Sequence, residues 1–489
     1  MKRILFWLSL AVIFTNLVWS LFIPLWQFPD EQAHFGHVAY LAEGGQPPMG
    51  RGKDLTEEIA ISEQLLGTYR DMQGNNNFTY HPEYNLEYSN SQQGIYEDQI
   101  KNLPLETRFN LVARESAYYP HFFYRISGLI YKLFYWQDIF IRVFAVRIFW
   151  LLTHLLMVWL AYLIGQIVFP KKRFLAIATA VLTGFQPMLT FVASGVTNDN
   201  LHNLLFTALI YFCLKLNQKI NRFDLIGLVL TMYLGFINKP QFWISLGIVV
   251  PVLFWRWRRF FVLIIAGLFL AYTQGKLPYF EISNKLVRPD YSLWQHVIYT
   301  AQHTFREVLP WYWGVFRWLS LVLPRWVNQV MMRLLVVVGI GWLIKLVRRR
   351  FTEPGLWIII WSAAIYFLAL FFWDFQHVRN VGFSFGIQGR YYFPVIVPCM
   401  ILIIIGLQSI SKYLNLLVSY WFIFLNWIAF YWVVSSYYDT SNFKTFIIQA
   451  SQYKPFFAKG WWLIIALGLY FIFSLIFSLQ LFKVFRHEK

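Results

Sequence analysis

An adjacent pair of acids, Asp30 and Glu31, lies just past the first long apolar segment of the chain. Pro29 suits the first position of a helix and the Gly44-Gly45 pair suits its end, so the pattern predicts a helix of roughly four turns. A carboxylate at a partly desolvated interface has a raised pKa and can act as a general base on a hydroxyl. We therefore predict that Asp30 and Glu31 are catalytic. The alternative is a solvated acidic start of a loop that caps a helix.

Two histidines follow on the same predicted helix. Asp30, His34 and His37 are spaced i, i+4 and i+7 and share one face, so we predict substrate binding by both imidazoles. The three side chains are also weak candidates for metal ligands, because a structural or catalytic metal usually needs a further ligand. The sequence implies no cofactor firmly and leaves a divalent cation possible.

Two further polar positions lie between later apolar segments. Asp199, in Thr-Asn-Asp-Asn-Leu-His, is a predicted substrate-binding residue, although Asn and Asp are also the residues that tight turns use. Lys239, in Ile-Asn-Lys-Pro, is a lone cation on the side of the membrane where cations are scarce. An anionic ligand such as a phosphate explains it better than a lysine that only extends towards the interface.

The last two polar segments are Asp-Phe-Gln-His-Val-Arg, with His377 and Arg379, and Gln-Gly-Arg-Tyr, with Arg390 and Tyr391. We predict substrate binding by these four residues. An arginine at the edge of an apolar helix costs a few kcal/mol unless it pairs with an acid or binds an anion, and its planar fork suits phosphate oxygens. The alternative is a salt bridge from Arg390 to Asp374.

Composition sets the class of protein that must position these residues. The chain has 489 residues, of which 58% are hydrophobic and only 13% are charged, so it is expected to be an all-α polytopic membrane protein. The apolar run 4–25 is too long for a signal peptide and is expected to stay as a span. The two cysteines lie in apolar segments and provide neither a disulfide framework nor a thiolate metal site.

The net charge of +18 reflects membrane topology rather than nucleic-acid binding. Residues 26–117 contain 14 of the 24 acids and 6 bases, and the remaining bases form small clusters between apolar runs. By the positive-inside rule these clusters and both termini are cytoplasmic. We therefore expect a multi-pass membrane protein whose active site is on the extracytoplasmic face.

We expect residues 1–489 to form a single membrane domain with about 12 transmembrane helices. A large first extracytoplasmic loop, 26–142, carries juxtamembrane helices near its ends, and 118–136 is interfacial rather than a crossing. A second extracytoplasmic loop, 279–326, is rich in tryptophan, which prefers headgroup depth. The predicted spans are 4–25, 143–168, 174–194, 200–216, 223–238, 241–255, 260–278, 327–345, 355–373, 390–410, 414–435 and 461–482.

Phe-Pro-Asp-Glu-Gln-Ala-His after the first span, Gln-Pro with Asn-Asp further on, and Gln-Gly-Arg-Tyr near the end resemble the C-type glycosyltransferase (GT-C) superfamily. The resemblance covers about residues 1–410, and its most specific part is the Pro-Asp-Glu-x-x-His motif. It implies a polyprenyl-phosphate-linked sugar as donor. It also implies that Asp30 is the base with Glu31 as partner, that Asp199 shapes the acceptor side, and that Lys239 and Arg390 bind the donor phosphate.

The predicted function is sugar transfer from that donor to a glycan, lipid or protein acceptor at the outer face of a bacterial plasma (inner) membrane. Direct displacement would invert the anomeric centre. The expected partners are the donor, membrane lipid and the acceptor, and no nucleic acid. The alternatives are a polysaccharide-precursor transporter or flippase, and a polysaccharide polymerase or ligase. Transporters usually place ionisable groups at mid-membrane depth. Here the polar groups lie at the predicted outer ends of the spans.

Overall fold

The protein is almost entirely helical in a computed structural model. The structure describes residues 2–46, 52–71, 74–84, 88, 93–115, 119–256, 291–349, 351–384 and 386–488. The helices of its first half are α1 Lys2–Phe22, α2 Glu31–Ala42, α3 Glu57–Leu66, α4 Gln93–Lys101, α5 Phe122–Leu133, α6 Ile139–Val168, α7 Arg173–Gly184, α8 Pro187–Ala193, α9 Asp199–Gln218, α10 Arg222–Phe236 and α11 Leu246–Arg256. Those of its second half are α12 Leu293–His303, α13 Leu309–Trp313, α14 Arg325–Val347, α15 Leu356–Val381, α16 Ile396–Ile410, α17 Lys412–Ser435, α18 Phe443–Ala450 and α19 Trp461–His487.

Among the described residues, seven helices are long and apolar enough to cross a membrane, and the number is eight if the pair α7 and α8, bent by 61°, is one span. These seven are α1, α6, α14, α15, α17, α19 and α16 with the 3₁₀ turn Gly389–Val395 before it. The all-α polytopic class is therefore confirmed. The count of about twelve is not reached among the described residues.

Some predicted spans do not form helices that are long and apolar enough to cross a membrane, and there are physical reasons for this. Helix α10 has 15 residues and rises only about 22 Å, which is shorter than the hydrocarbon core. Helix α9 has 20 residues but begins with Asp199, Asn200 and His202, so its first turns are polar. Pro240–Phe254 is a short apolar helix, and the predicted span 260–278 lies outside the described residues.

The segment 26–142 contains more regular structure than expected. Helices α3 and α4 lie in its middle, where we expected none, and strands β1 Leu55–Thr56 and β2 Leu111–Ala113 pair antiparallel. The pairing of β1 with β2 brings two distant parts of this segment together. Helix α5 has 12 residues and is too short to cross a bilayer, in agreement with an interfacial helix.

The described part of 279–326 is not a simple pair of interfacial helices. Helix α12 passes through a π-helical turn, Thr304–Val308, into α13, and strands β3 Val315–Phe316 and β4 Leu321–Val322 then form a hairpin. Trp311 and Trp313 are buried inside the protein, whereas Trp294 is exposed. Headgroup preference therefore accounts for only some of these indoles.

Helix α1 is central to the packing that positions the site. It contacts α19 on one side and α6 on the other, and its C-terminal end meets α8. Helix α9 packs along α6, and the 3₁₀ turn Gly389–Val395 packs against α9 and α13. Distant parts of the sequence therefore meet where α1 ends and where α9 and the Gly389–Ile410 helix begin.

Candidate functional site

Asp30 precedes α2 rather than lying inside it. The helix begins at Glu31, and Asp30 has the left-handed conformation, with φ of 55° and no side-chain capping bond. Trp26 also has a positive φ, 63°. Aspartate tolerates this conformation better than most residues, whereas a tryptophan there is strained. The turn after α1 therefore holds the Asp30 carboxylate free of the helix end.

The Asp30 carboxylate lies between two arginines. Arg390 donates from Nη2 to Oδ2 at 2.8 Å, and the Arg70 guanidinium lies 3.4 Å from Oδ1. Burial alone would raise the pKa of Asp30, but the two guanidinium groups hold it below its ordinary value. Arg390 therefore pairs with Asp30 and not with Asp374, the partner weighed from the sequence.

A cavity of about 340 Å³ opens beside this ion pair. Its walls come from the turn after α1, the segment after α3, helix α8, the hairpin β3–β4 and the start of the Gly389–Ile410 helix. Among the described lining residues, one is an acid, Asp30, and three are arginines. The lining residues are Gln27, Pro29, Asp30, Arg70, Gly74, Asn75, Thr79, Tyr80, Met188, Phe191, Val315, Phe316, Arg317, Trp318, Leu319, Gly386, Gln388, Arg390 and Tyr391.

Gly389 fixes the position of Arg390. A Cβ at Gly389 would stand 2.1 Å from the backbone nitrogen of Tyr312 and 2.5 Å from the carbonyl carbon of Trp311. Both contacts are with backbone, so no side-chain rotation could relieve them. Only glycine allows this turn to approach α13 so closely, and the approach brings Arg390 to the cavity.

Lys239 and Asp199 form a buried ion pair behind Arg390. The Lys239 ammonium also lies 5.2 Å from the centre of the Tyr119 ring. The cleft around them, which Arg390 and Tyr391 also line, has a volume of only about 10 Å³. That is room for roughly one water molecule. A phosphate reaches Lys239 only if the ion pair with Asp199 opens.

Glu31 lies next to Asp30 in sequence but faces the other way. Its carboxylate is fully buried and accepts from Arg147 twice, Nε at 2.7 Å and Nη2 at 2.5 Å. It also accepts from the backbone nitrogens of Trp26 and Val196, each at 3.2 Å. Glu31 does not line the cavity. These contacts favour a structural role, so its predicted catalytic role is not carried further.

The two histidines of α2 are buried and are not among the residues that line the cavity. His34 bonds Tyr124 at 2.8 Å and Thr197 at 3.3 Å, and burial lowers its pKa to about 3, so it is neutral. His37 bonds His121 at 3.1 Å and stacks on Tyr124. Within the described ranges no group of three His, Cys, Asp or Glu residues could hold a metal ion.

His377 and Arg379 lie on α15 and line neither the cavity nor the Lys239 cleft. His377 packs near Phe383, and Arg379 lies over Phe375. Their neighbour Asp374 instead accepts from His303 at 2.9 Å and from Ser384 at 2.6 Å. The structure brings Asp30, Arg390 and Tyr391 together and leaves these two residues apart.

Sequence reasoning missed two cavity residues, Arg70 and Arg317. Arg317 lies in the segment predicted to be outside, where the positive-inside rule makes a cation unusual. The same signal identified Lys239, but it does not distinguish Arg317 from Arg306 and Arg325 in the same segment. Arg70 also lies in a segment predicted to be outside, but that segment contains other bases and its path could not be predicted.

Two carboxyl groups behind Arg70 form a buried pair. Glu63 is fully buried and lies beside Glu115, whose Oε1 is 3.6 Å from Arg70 Nε. Burial raises the pKa of Glu63 well above its ordinary value and raises that of Glu115 to about 7. The pair is therefore protonated at least once under acidic conditions, and its charge state acts on Asp30 through Arg70.

Glu115→Gln is expected to stabilise the protein relative to the parent chain, increasingly as pH rises from about 4.5 to about 7. The folded parent holds a proton in this range that the unfolded chain has released, so rising pH costs it stability. The measurement is the difference in apparent melting temperature between variant and parent in detergent at pH 5 and pH 7.5. The exposed Glu106→Gln serves as control. A difference independent of pH would contradict the assignment.

Comparison with known proteins places the chain in a family. The family model described as "Predicted membrane protein (DUF2142)" matches residues 13–399. None of the curated proteins compared with the chain matches it. The crystal structure of ArnT from Cupriavidus metallidurans in the apo state is similar at a TM-score of 0.42 and 14% sequence identity, covering 99% of this chain and 77% of that one. Because the family model spans well over half of the sequence, the chain belongs to the DUF2142 family of predicted membrane proteins.

Proposed function

We propose that this protein is a membrane glycosyltransferase that moves a sugar from a polyprenyl-phosphate donor to an acceptor hydroxyl on the extracytoplasmic face of a bacterial plasma membrane. The observation that carries the proposal is the Asp30–Arg390 pair on the wall of the 340 Å³ cavity. A carboxylate that can take a proton lies directly beside a guanidinium that can hold a phosphate. The sequence resemblance to the GT-C superfamily supports the same reaction.

Arg390 is the first contact for the donor phosphate. Its side chain is 5% exposed, and among the described residues its Nε has no hydrogen-bond partner. A phosphate there would supply the missing acceptor and offset the burial of the charge. Lys239 is a second contact that requires the release of Asp199, so the donor phosphate and Asp199 compete for the same ammonium group.

In the transfer step the acceptor oxygen attacks the anomeric carbon and Asp30 takes the hydroxyl proton. The bond between that carbon and the phosphate oxygen breaks, and the polyprenyl phosphate leaves with the electron pair. Direct displacement of this kind inverts the anomeric centre. A phosphate at Arg390 would also weaken the field that lowers the pKa of Asp30, so donor binding makes Asp30 a stronger base.

The position of the polar groups supports transfer over transport. Asp30, Arg70, Arg317 and Arg390 lie in turns, hairpins or first helical turns and not in the middle of the long helices. A transporter site is expected near the centre of the membrane.

Arg390→Gln is expected to raise the KM for the donor by about 10-fold to 100-fold, because a charge-assisted contact is worth roughly 1.5–3 kcal/mol. The assay uses the purified full chain in nanodiscs with synthetic polyprenyl-phosphate sugars and an extract of envelope glycans and lipids as acceptors. Arg390→Lys retains charge without the fork and should give a smaller loss. The exposed Arg306→Gln should behave like the parent.

Two results would overturn the proposal. One is a folded Arg390→Gln variant with the parent's donor KM. The other is no transfer from any donor, combined with movement of intact lipid-linked sugars across the bilayer of proteoliposomes.

A further inference from the structure

Arg317 lies at the tip of the hairpin β3–β4 in an unusual backbone conformation. Arg317, Trp318 and Leu319 have φ of 51°, 54° and 64°, three consecutive left-handed residues without a glycine. This conformation is strained for residues other than glycine, so the surrounding structure must hold the three residues in place. Trp318 donates to the carbonyl of Trp26 at 3.2 Å, and Ser320 donates from N and Oγ to the carbonyl of Arg317. The hairpin tip therefore keeps Arg317 at the cavity wall.

The Arg317 guanidinium is buried with most of its hydrogen-bonding capacity unused. The residue is 2% exposed, and Nη1 donates to the carbonyl of Pro82 at 3.1 Å. Among the described residues, Nε and Nη2 have no partner. The rings of Phe78 and Tyr437 lie 5.7 and 5.6 Å away and stabilise the cation through their faces. They leave the N–H groups on Nε and Nη2 without an acceptor.

The two free nitrogens define one edge of the guanidinium. Nε and Nη2 donate in parallel, which is the bidentate geometry that matches two oxygens of one phosphate. Arg70 lies close to this part of the cavity, with its guanidinium 5.4 Å from the centre of the Trp318 ring. Among the described residues that line the cavity, three are arginines and one, Asp30, is an acid; Glu115 contacts Arg70 from outside this lining. The cavity is therefore suited to an anion beyond Asp30.

We propose that the free edge of Arg317, assisted by Arg70, binds a phosphate-type oxyanion of the substrate, at a subsite separate from the phosphate contact at Arg390. The identity of the substrate rests on the proposed function, but the anion site itself does not. Two sources share this chemistry: the second phosphate of a diphosphate-linked donor, and an anionic group on the acceptor.

The first experiment measures inorganic phosphate binding to the purified full chain by calorimetry, in an Arg390→Gln background that removes the other contact. Adding Arg317→Gln is expected to raise the phosphate Kd by roughly 10-fold to 100-fold. Arg317→Lys should give an intermediate loss, because it keeps the charge and loses the fork. Arg325→Gln, an exposed arginine at the start of α14, should leave the Kd unchanged.

The melting temperature of each variant is the control for correct folding. A buried guanidinium with unused donors costs stability, so Arg317→Gln is expected to melt no lower than the parent. If Arg317 served only to hold the hairpin, the variant would melt lower while phosphate binding by the folded fraction stayed the same. That result would overturn the proposal.

The second experiment distinguishes the two sources. It compares the affinities of farnesyl monophosphate and farnesyl diphosphate for the protein with Arg390 intact. A preference for the diphosphate that Arg317→Gln abolishes assigns the subsite to the donor. Equal affinities, with phosphate still binding to the protein saturated with farnesyl monophosphate, assign it to the acceptor. Arg317-dependent phosphate binding, combined with movement of intact lipid-linked sugars and no sugar transfer, would refute the proposed function and leave the anion site standing. Sugar transfer, with phosphate binding that Arg317→Gln leaves unchanged, would refute the anion site and leave the proposed function standing.

Discussion

Asp30→Asn is expected to lower the rate of sugar transfer by about 10²-fold to 10⁴-fold, the usual contribution of a general base. Asparagine keeps the shape of the side chain and can still accept one hydrogen bond from Arg390, so the variant should fold. The loss should therefore fall on kcat. Donor KM should fall or stay the same, because removal of the carboxylate frees Arg390 for the phosphate.

The measurement is the steady-state rate of transfer in nanodiscs with a polyprenyl-phosphate sugar, over a range of donor concentrations. Asp98→Asn, an exposed aspartate on α4, is the matched control and should retain the parent's kcat and KM. A folded Asp30→Asn variant with more than about a tenth of the parent's kcat would contradict the assignment of the base. A rise in donor KM alone would instead mean that Asp30 only orients Arg390.

The sequence pattern identified Asp30 and Arg390 separately, but it did not predict that they form an ion pair. The spacing of apolar runs and the placement of basic clusters predicted the membrane class, and Asp30 and Arg390 each stood out as charges at the ends of apolar segments. Their 2.8 Å contact spans 360 residues of sequence. Nothing in helical periodicity predicts which ends meet, because that depends on the packing of α1, α9 and the Gly389–Ile410 helix.

The predictions that differ from the structure have the same cause, because local pattern does not determine how the elements pack. Asp30, His34 and His37 fit one helical face, but the helix begins at Glu31, two residues after the predicted start, and Asp30 precedes it in the left-handed conformation. Lys239 was recognised as an unusual cation, and its partner turned out to be Asp199, another residue predicted for the site. A pattern of charges identifies groups that need compensation. It does not say whether a ligand or the protein itself compensates them.

Glu31→Gln is expected to destabilise the protein by about 3–5 kcal/mol, since it leaves the Arg147 guanidinium buried without its counter-charge. Arg147 also donates to the carbonyls of Ser20, Ile23 and Pro24, each at 3.1 Å, and so satisfies the C-terminal end of α1. Loss of the charge pair should therefore favour unfolding of this turn and leave its conformation unchanged in the protein that remains folded. The apparent melting temperature and the monodisperse fraction in detergent should both fall.

The decisive comparison is with the activity of the folded fraction. If Glu31 is structural, the Glu31→Gln protein that survives purification should transfer sugar at nearly the parent's kcat, whereas a catalytic partner would lose activity without losing stability. The double variant Glu31→Gln with Arg147→Met removes both charges and should cost less than the sum of the single changes. Additive losses would show that the two side chains stabilise the protein independently. The exposed Glu106→Gln should change neither quantity.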